Sequence, residues 1–177
     1  EVLNSMDSQD RSRVETALSY EEDTAGGIMN TDTITLRPDV SVDVVFRYLR
    51  LKGELPDATD SFYVVNRDNK FIGAVSLAAI ITAKTEIIVS SLINDHVEAV
   101  QADMEVQAVA QLFERHDWVS APVIDEEGHL LGRITIDDVI DIIREDAEHS
   151  MMSMAGLDDE ADTFAPVIKS TKQRSLW

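Results

Sequence analysis

Tyr63-Val-Val-Asn-Arg-Asp-Asn-Lys-Phe-Ile-Gly-Ala-Val-Ser76 and Pro122-Val-Ile-Asp-Glu-Glu-Gly-His-Leu-Leu-Gly-Arg-Ile-Thr135 are one phrase written twice, 59 residues apart. Each copy has an apolar run, a polar turn and a second apolar run carrying Gly73 or Gly132, the pattern of a β-hairpin. Apolar helical segments follow, Leu77–Thr82 in the first copy and Asp137–Ile143 in the second. Upstream, Pro38–Val42 aligns with Ala102–Val106 at an offset of 64. Asp39 and Asp103 are the expected helix N-caps, because each precedes apolar residues at helical spacing. Those residues are Val42, Val45, Phe46 and Leu49 in the first copy, and Val106, Val109, Ala110 and Phe113 in the second. The change of offset marks an insertion around 52–61, where Gly53 and Pro56 read as a loop. Each copy therefore reads strand–helix–strand–strand–helix. A unit of that size cannot cover both faces of its own sheet, so two packed copies are expected.

Composition limits what such a pair does. The chain has 177 residues, 44% apolar and 28% charged, with 34 Asp and Glu against 15 Lys and Arg, a formal net charge of -19. Nucleic acid is excluded as a partner, since phosphate binding needs a basic face. The absence of cysteine removes disulfides and thiolate metal sites. The four histidines are scattered, with no pair spaced for zinc. No Gly-x-Ser-x-Gly, phosphate-binding Lys loop or His-Glu-x-x-His occurs, so no enzyme is expected. No apolar run approaches the roughly 18–20 residues of a membrane span, and no signal peptide stands at the start. The chain opens on Glu1 and stops at Trp177, and reads as a piece of something longer.

The acid is unevenly placed. Between Asp137 and Asp162 ten acids face one base, Arg144, a net of -9. Asp138, Asp141 and Glu145 share one helical face, and like charges at that spacing each cost a few tenths of a kcal/mol. A hard divalent cation turns that cost into attraction, because carboxylate oxygens suit magnesium. A solvated acidic face is the plain alternative. From Thr163 to Trp177 there are three bases and no acid, with Phe164, Val167, Ile168 and Thr171 at helical spacing, as in a juxtamembrane helix. Met151, Met152 and Met154 read as a stripe facing a partner. Residues 7–19 read as one amphipathic helix.

With Gly132-Arg-Ile-Thr-Ile-Asp-Asp138 in the second copy, the doubled β-α-β-β-α unit resembles a tandem pair of cystathionine β-synthase (CBS) domains. The leader Tyr20-Glu-Glu-Asp-Thr-Ala-Gly-Gly-Ile-Met29 is similar to that of the cytosolic region of MgtE-type magnesium transporters. The resemblance implies an α+β fold. Residues 1–27 would be the end of a truncated N-terminal helical domain and a linker, 28–86 and 87–146 the two CBS repeats, and 147–177 a long connecting helix leading to the membrane. It implies a homodimer joined to its own transmembrane domain, at the cytoplasmic face of the inner membrane within a multi-pass protein. It further implies Mg2+ as the regulatory ligand, with Asp138, Asp141 and Asp146 as metal-binding carboxylates. Glu105 and Asp117 are then the acids facing the connecting helix, while Glu148 is near a ligand position but shifted, with His149 and Ser150 standing there. CBS pairs also bind nucleotides through a Gly-x-x-Thr-x-x-Asp phrase. Here Ala79 replaces the first-copy Asp, which weakens ATP binding, although Tyr63 and Trp118 offer aromatic faces for a base. The expected function is magnesium sensing that gates a transporter pore. A nucleotide-sensing CBS module of another protein is the alternative, and a purely structural dimerisation module a third.

Overall fold

The computed structural model describes residues 19–154; the expected helix at 7–19, but for Ser19, and the basic segment 163–177 lie outside the described residues. The element order is α1 (Ala25–Ile28), β1 (Thr35–Leu36), α2 (Val42–Lys52), β2 (Ser61–Val65), β3 (Phe71–Ser76) and α3 (Leu77–Thr82). A 3-10 turn at Val89–Ser91 leads into β4 (Val100–Gln101), α4 (Val106–His116), β5 (Ser120–Ile124), β6 (Leu130–Thr135) and α5 (Ile136–Met154). The strands form two three-stranded sheets, β1-β2-β3 and β4-β5-β6. In each, a short parallel first strand flanks the antiparallel hairpin. The register breaks at the same place in both hairpins, after Val64 and after Val123. The expected β-α-β-β-α repeat is thus present twice.

The helix starts differ from expectation. Ser41 and Glu105, not Asp39 and Asp103, are the N-cap residues, and neither makes a side-chain cap bond. The free N–H groups of the first turn find backbone carbonyls instead. Val42 N–H donates to Ile87 O at 2.9 Å and Asp43 N–H to Thr85 O at 3.0 Å, while Val106 N–H donates to Asp23 O at 3.0 Å. Once a neighbouring strand of chain satisfies these donors, a capping side chain adds little.

Those carbonyls expose the main feature of the architecture, which is that the two repeats exchange their leading segments. Residues 23–30 pack on the second repeat and residues 87–94 on the first. Ala25 N–H donates to Met104 O and Gly26 N–H to Ala102 O; Val89 N–H donates to Val40 O and Ser90 N–H to Pro38 O. The two sets superpose at the 64-residue offset. Asn30 exchanges a pair of backbone hydrogen bonds with Arg133, and Asn94 a pair with Ala74. Side chains follow the backbone. Ala25 and Met29 are buried with Val100, Val109, Phe113 and Ile134, and Val89 is buried with Val42, Val45, Phe62 and Ile80. Fully burying a Val or Met side chain contributes about 1.5–3 kcal/mol, so each core depends in part on Val89 or Met29 lent by the segment that crosses to it. The sequence carries the signal, since Ala25-Gly-Gly-Ile-Met-Asn30 is echoed by Val89-Ser-Ser-Leu-Ile-Asn94.

The hairpin tips join the halves directly. Phe71 N–H donates to Gly128 O at 2.9 Å and Leu130 N–H to Asn69 O at 3.0 Å, above a shared apolar cluster of Tyr63, Val65, Ala74 and Leu130. At the far end, α5 packs on α4 through Val139, Ile142 and Ile143, and continues to Met154 without a break. The border expected at 146–147 falls inside this helix.

Exchange requires a bare backbone where the segments cross. A Cβ on Gly73, whose φ is +147°, would lie 2.5 Å from Ile93 Cγ2 and 2.7 Å from Asn94 O; on Gly132 it would lie 2.6 Å from Asn30 O. Gly128, with φ of +85°, has nothing within 4 Å. Gly73→Ala is therefore expected to destabilise the chain by about 3 kcal/mol, from overpacking against backbone plus strain. Gly128→Ala should cost only about 1 kcal/mol. Urea unfolding midpoints measure the difference, and equal shifts would contradict the crossing constraint.

Candidate functional site

The starts of β2 and β5 lie side by side, and a polar chain links them. Ser120 Oγ donates to Asp60 Oδ1 at 2.5 Å, and Tyr63 Oη lies 3.0 Å from Ser120 Oγ. An ionised carboxylate only accepts, so the serine proton goes to Asp60 and the tyrosine proton to Ser120. Burial pushes the Tyr63 hydroxyl up to about 12, and the neighbouring Asp60 charge acts in the same direction.

α4 ends on Asp117 in the left-handed conformation, φ 52°. This reversal sets His116 and Trp118 against each other, stacked at 5.0 Å with planes 18° apart. Trp118 also meets Phe113 edge-on at 5.6 Å, which anchors it to the core. His116 Nε2 lies 4.0 Å from a Glu98 carboxylate oxygen. Between these groups and β2 lies a cavity of about 400 Å³, whose walls include Asp60, Tyr63, Ala74, Asn94, Glu98 and Trp118. That volume suits a small ligand with one or two rings. Three carboxylates, Asp60, Glu98 and Asp117, and two histidines, His96 and His116, line it, with no Lys or Arg among the lining residues.

The expected site residues are thereby regrouped. Tyr63 and Trp118, named for a nucleotide, share this cavity with Asp117, named for metal. Tyr63 is a core residue with only its edge toward the cavity, 2% exposed. Glu105 sits at the opposite end of α4 from Asp117, with the eleven residues of the helix between them, about 18 Å away. Asp138 lies in the first turn of α5, where its carboxylate accepts from Thr135 N–H and Thr135 Oγ, both at 2.8 Å. That is a capping arrangement, which neither Asp141 nor Asp146 could make from its place further along α5. The side chains of Asp141, Asp146 and Glu148 lie outside the described residues. No group of three or more His, Asp or Glu side chains among the described residues is placed to hold a metal. Magnesium retains several waters and takes one or two carboxylates directly, so acids spaced along one helix suit weak, largely hydrated binding. In the first copy, Ser76 Oγ accepts from Ala79 N–H, and Ala79 supplies no carboxylate where the second copy has Asp138.

Comparison with known proteins fits this architecture. The CBS-domain family model matches residues 25–86 and 89–145. The magnesium transporter MgtE of Thermus thermophilus is 34% identical over 155 residues, 86% of this chain and 34% of the relative. That of Enterococcus faecalis is 29% identical over 170 residues, 96% of this chain and 37% of the relative. The chain thus spans about a third of the length of these relatives, which are named as transporters and not as enzymes. Among solved structures, the cytosolic domain of the Mg2+ channel MgtE in complex with ATP is 34% identical, with a TM-score of 0.72 over 79% of this chain and 56% of that one. The soluble part of a magnesium transporter is 29% identical, with a TM-score of 0.74 over 82% of this chain and 57% of that one.

The raised Tyr63 value has a direct consequence for stability. Its unfolded value is near 10. The contribution of the protonated hydroxyl is therefore complete below about pH 10 and is lost as pH rises toward the folded value of about 12. Between those limits the parent chain should lose stability more steeply than Tyr63→Phe, as read from urea midpoints at each pH. Parallel slopes would mean that Tyr63 ionises freely in the folded chain.

Proposed function

The chain belongs to the CBS-domain family, and on that premise we propose that it is the magnesium-sensing regulatory region of a magnesium transporter or channel. The observation that carries this reading is α5, which leaves the second repeat as one unbroken helix bearing Asp137, Asp138, Asp141, Glu145, Asp146 and Glu148. Similarity to the soluble parts of magnesium transporters supports it. Asp138, Asp141 and Asp146 are the residues that would hold magnesium, with Glu105 and Asp117 on the second repeat as the opposing acids. Bound magnesium supplies positive charge that neutralises carboxylates across the repeat and the helix. Without it, the acids of α5 repel one another and their neighbours on the repeat, which favours separation. Gating then requires only that the cation bind one arrangement more tightly than the other.

The repeats are taken as residues 28–86 and 87–146, preceded by the end of a helical domain and followed by a connecting helix over 147–177. No helix among the described residues is long and apolar enough to cross a membrane. The transmembrane domain belongs to the rest of the proposed full-length protein, with this region at the cytoplasmic face of the membrane. A homodimer completes the proposal. Val44, Tyr48 and Leu51 stand on one side of α2 at helical spacing and are exposed, Leu51 to 88%, as a surface awaiting a partner would be.

The cavity beside Trp118 favours a second reading, nucleotide binding, and a structural neighbour was solved with ATP. Its three lining carboxylates oppose a free triphosphate. A nucleoside, or a nucleotide whose charge is neutralised by magnesium, suits it better.

Two titrations test these readings. Magnesium is expected to protect the chain from protease in a saturable way, with protection reduced at least tenfold in apparent affinity by Asp141→Asn. Equal protection by sodium at matched ionic strength would remove the specific site. Calorimetry should show adenosine binding at least as tightly as metal-free ATP, and ATP binding strengthened by magnesium. Tighter binding of metal-free ATP would contradict the acidic lining.

A further inference from the structure

The two repeats differ in the connection that enters each hairpin. Eight residues, 53–60, join α2 to β2, where three, 117–119, join α4 to β5. The longer connection crosses to the second repeat and is fastened there twice. Arg133 of β6 donates from Nη1 to Ala58 O at 3.2 Å and from Nη2 to Asp57 O. Ser120, the first residue of β5, donates from Oγ to Asp60 Oδ1 at 2.5 Å. The end of the connection is held by its own repeat, since Leu77 N–H donates to Asp60 O at 2.8 Å. A left-handed residue at Ala58, φ 52°, and a bond from Thr59 Oγ to Pro56 O at 2.5 Å shape the crossing.

Both fastenings lie at the root of α5. Ser120 pairs with Thr135, the last residue of β6. Thr135 N–H and Oγ donate to Asp138 in the first turn of the helix, and Ile136 N–H donates to Val119 O at 2.9 Å. Arg133 stands two residues before Thr135 on the same strand. A connection of the first repeat therefore grips both strands of the hairpin from which α5 springs. The grip is of a releasable kind. Arg133 is 5% exposed and its Nε is buried without a partner among the described residues, yet both of its bonds go to uncharged carbonyls of exposed residues. A guanidinium kept as a permanent tie is expected to meet a carboxylate in a forked geometry. Carbonyls on an exposed loop can take water in exchange for a guanidinium, and segments held in that way supply the moving parts of a fold.

We infer that residues 53–60 are a strap by which the first repeat holds the root of α5, with Arg133 as its buckle, so that releasing the buckle loosens the start of the acidic helix. The strap itself needs neither a metal nor a small ligand. Only its use in gating rests on the magnesium-sensing reading, under which the first repeat sets the stiffness of the joint between the second repeat and α5.

Hydrogen exchange on the 177-residue chain, followed by mass spectrometry on peptides covering 119–124 and 133–139, tests the strap. Arg133→Met keeps most of the side-chain volume and removes the donors. It should leave the urea midpoint close to that of the parent, because the unpaired Nε is removed as well, while exchange at the root of α5 rises at least tenfold. Asn69→Ala, which breaks the bond from Asn69 Nδ2 to Leu130 O at the hairpin tips, should leave the root at the parent rate. Unchanged exchange over 133–139 in Arg133→Met, or an equal rise in Asn69→Ala, would overturn the proposal. Should Arg133→Met not fold, Ser120→Ala decides by removing the other fastening: faster exchange at the root supports the strap, and the parent rate in a folded variant overturns it. Magnesium separates the two readings. Faster exchange at the root in a chain that magnesium does not protect from protease upholds the strap and removes the sensing reading. Where the parent is protected, Arg133→Met should need at least threefold more magnesium, and an unchanged requirement would overturn the strap's part in sensing.

Discussion

Everything in this fold depends on backbone hydrogen bonds that each half lends to the other. An α-helix begins with N–H groups that have no partner of their own, and a short β-strand leaves an edge. In this chain both needs are met by the same device. The segment before each repeat crosses to the opposite repeat, where its carbonyls receive the first N–H groups of α2 or α4 and its Asn30 or Asn94 pairs with β6 or β3. Gly132 and Gly73 stand at the crossings because a side chain there would collide with the incoming backbone. The pairing of the two sheets and the shared cluster around Tyr63 are geometric results of that exchange.

Symmetry of backbone has not produced symmetry of chemistry. The first repeat carries Ala74 and Ala79 where the second has Arg133 and Asp138. The first difference places a buried guanidinium on one side only, bonded to the carbonyls of Asp57 and Ala58. The second removes a carboxylate from the start of α3 and leaves one at the start of α5, where it caps the acidic helix. The two halves thus differ in charge at positions where their backbones correspond.

Much of this is legible in the sequence, for identifiable reasons. Strand and helix patterns in Tyr63–Ser76 and Pro122–Thr135 are local, and local periodicity reports secondary structure directly. The repeat disclosed that two such units pack together. At Asp39 and Asp103 the side-chain capping rule fails, because it assumes that the first turn faces water, whereas here it faces chain from a crossing segment. The exchange itself left a faint trace, the echo of Ala25–Asn30 in Val89–Asn94, easily passed over since small residues match many things. The cavity is half legible in the sequence: Tyr63 and Trp118 stand out as aromatics, but Asp60, Asn94 and Glu98 join them only through tertiary packing. Arg133 reads as an ordinary strand residue, and nothing local marks its burial or its bonds to the carbonyls of Asp57 and Ala58.

The lent segments also govern the order in which this chain can fold. Synthesis reaches Ser76 with the first hairpin complete, yet Val89 and Ile93 have still to be made, and without them the core around Phe62 and Ile80 lies open. Ala25 and Met29, made near the beginning, must wait for Val100–Ile134 to appear some hundred residues later before they find their place. Neither half closes alone, so the contacts that matter are distant in sequence, and folding of this kind is slow and cooperative across the pair. Until the second repeat is complete, a nascent chain of this design leaves apolar core surface exposed, the condition in which aggregation competes with folding.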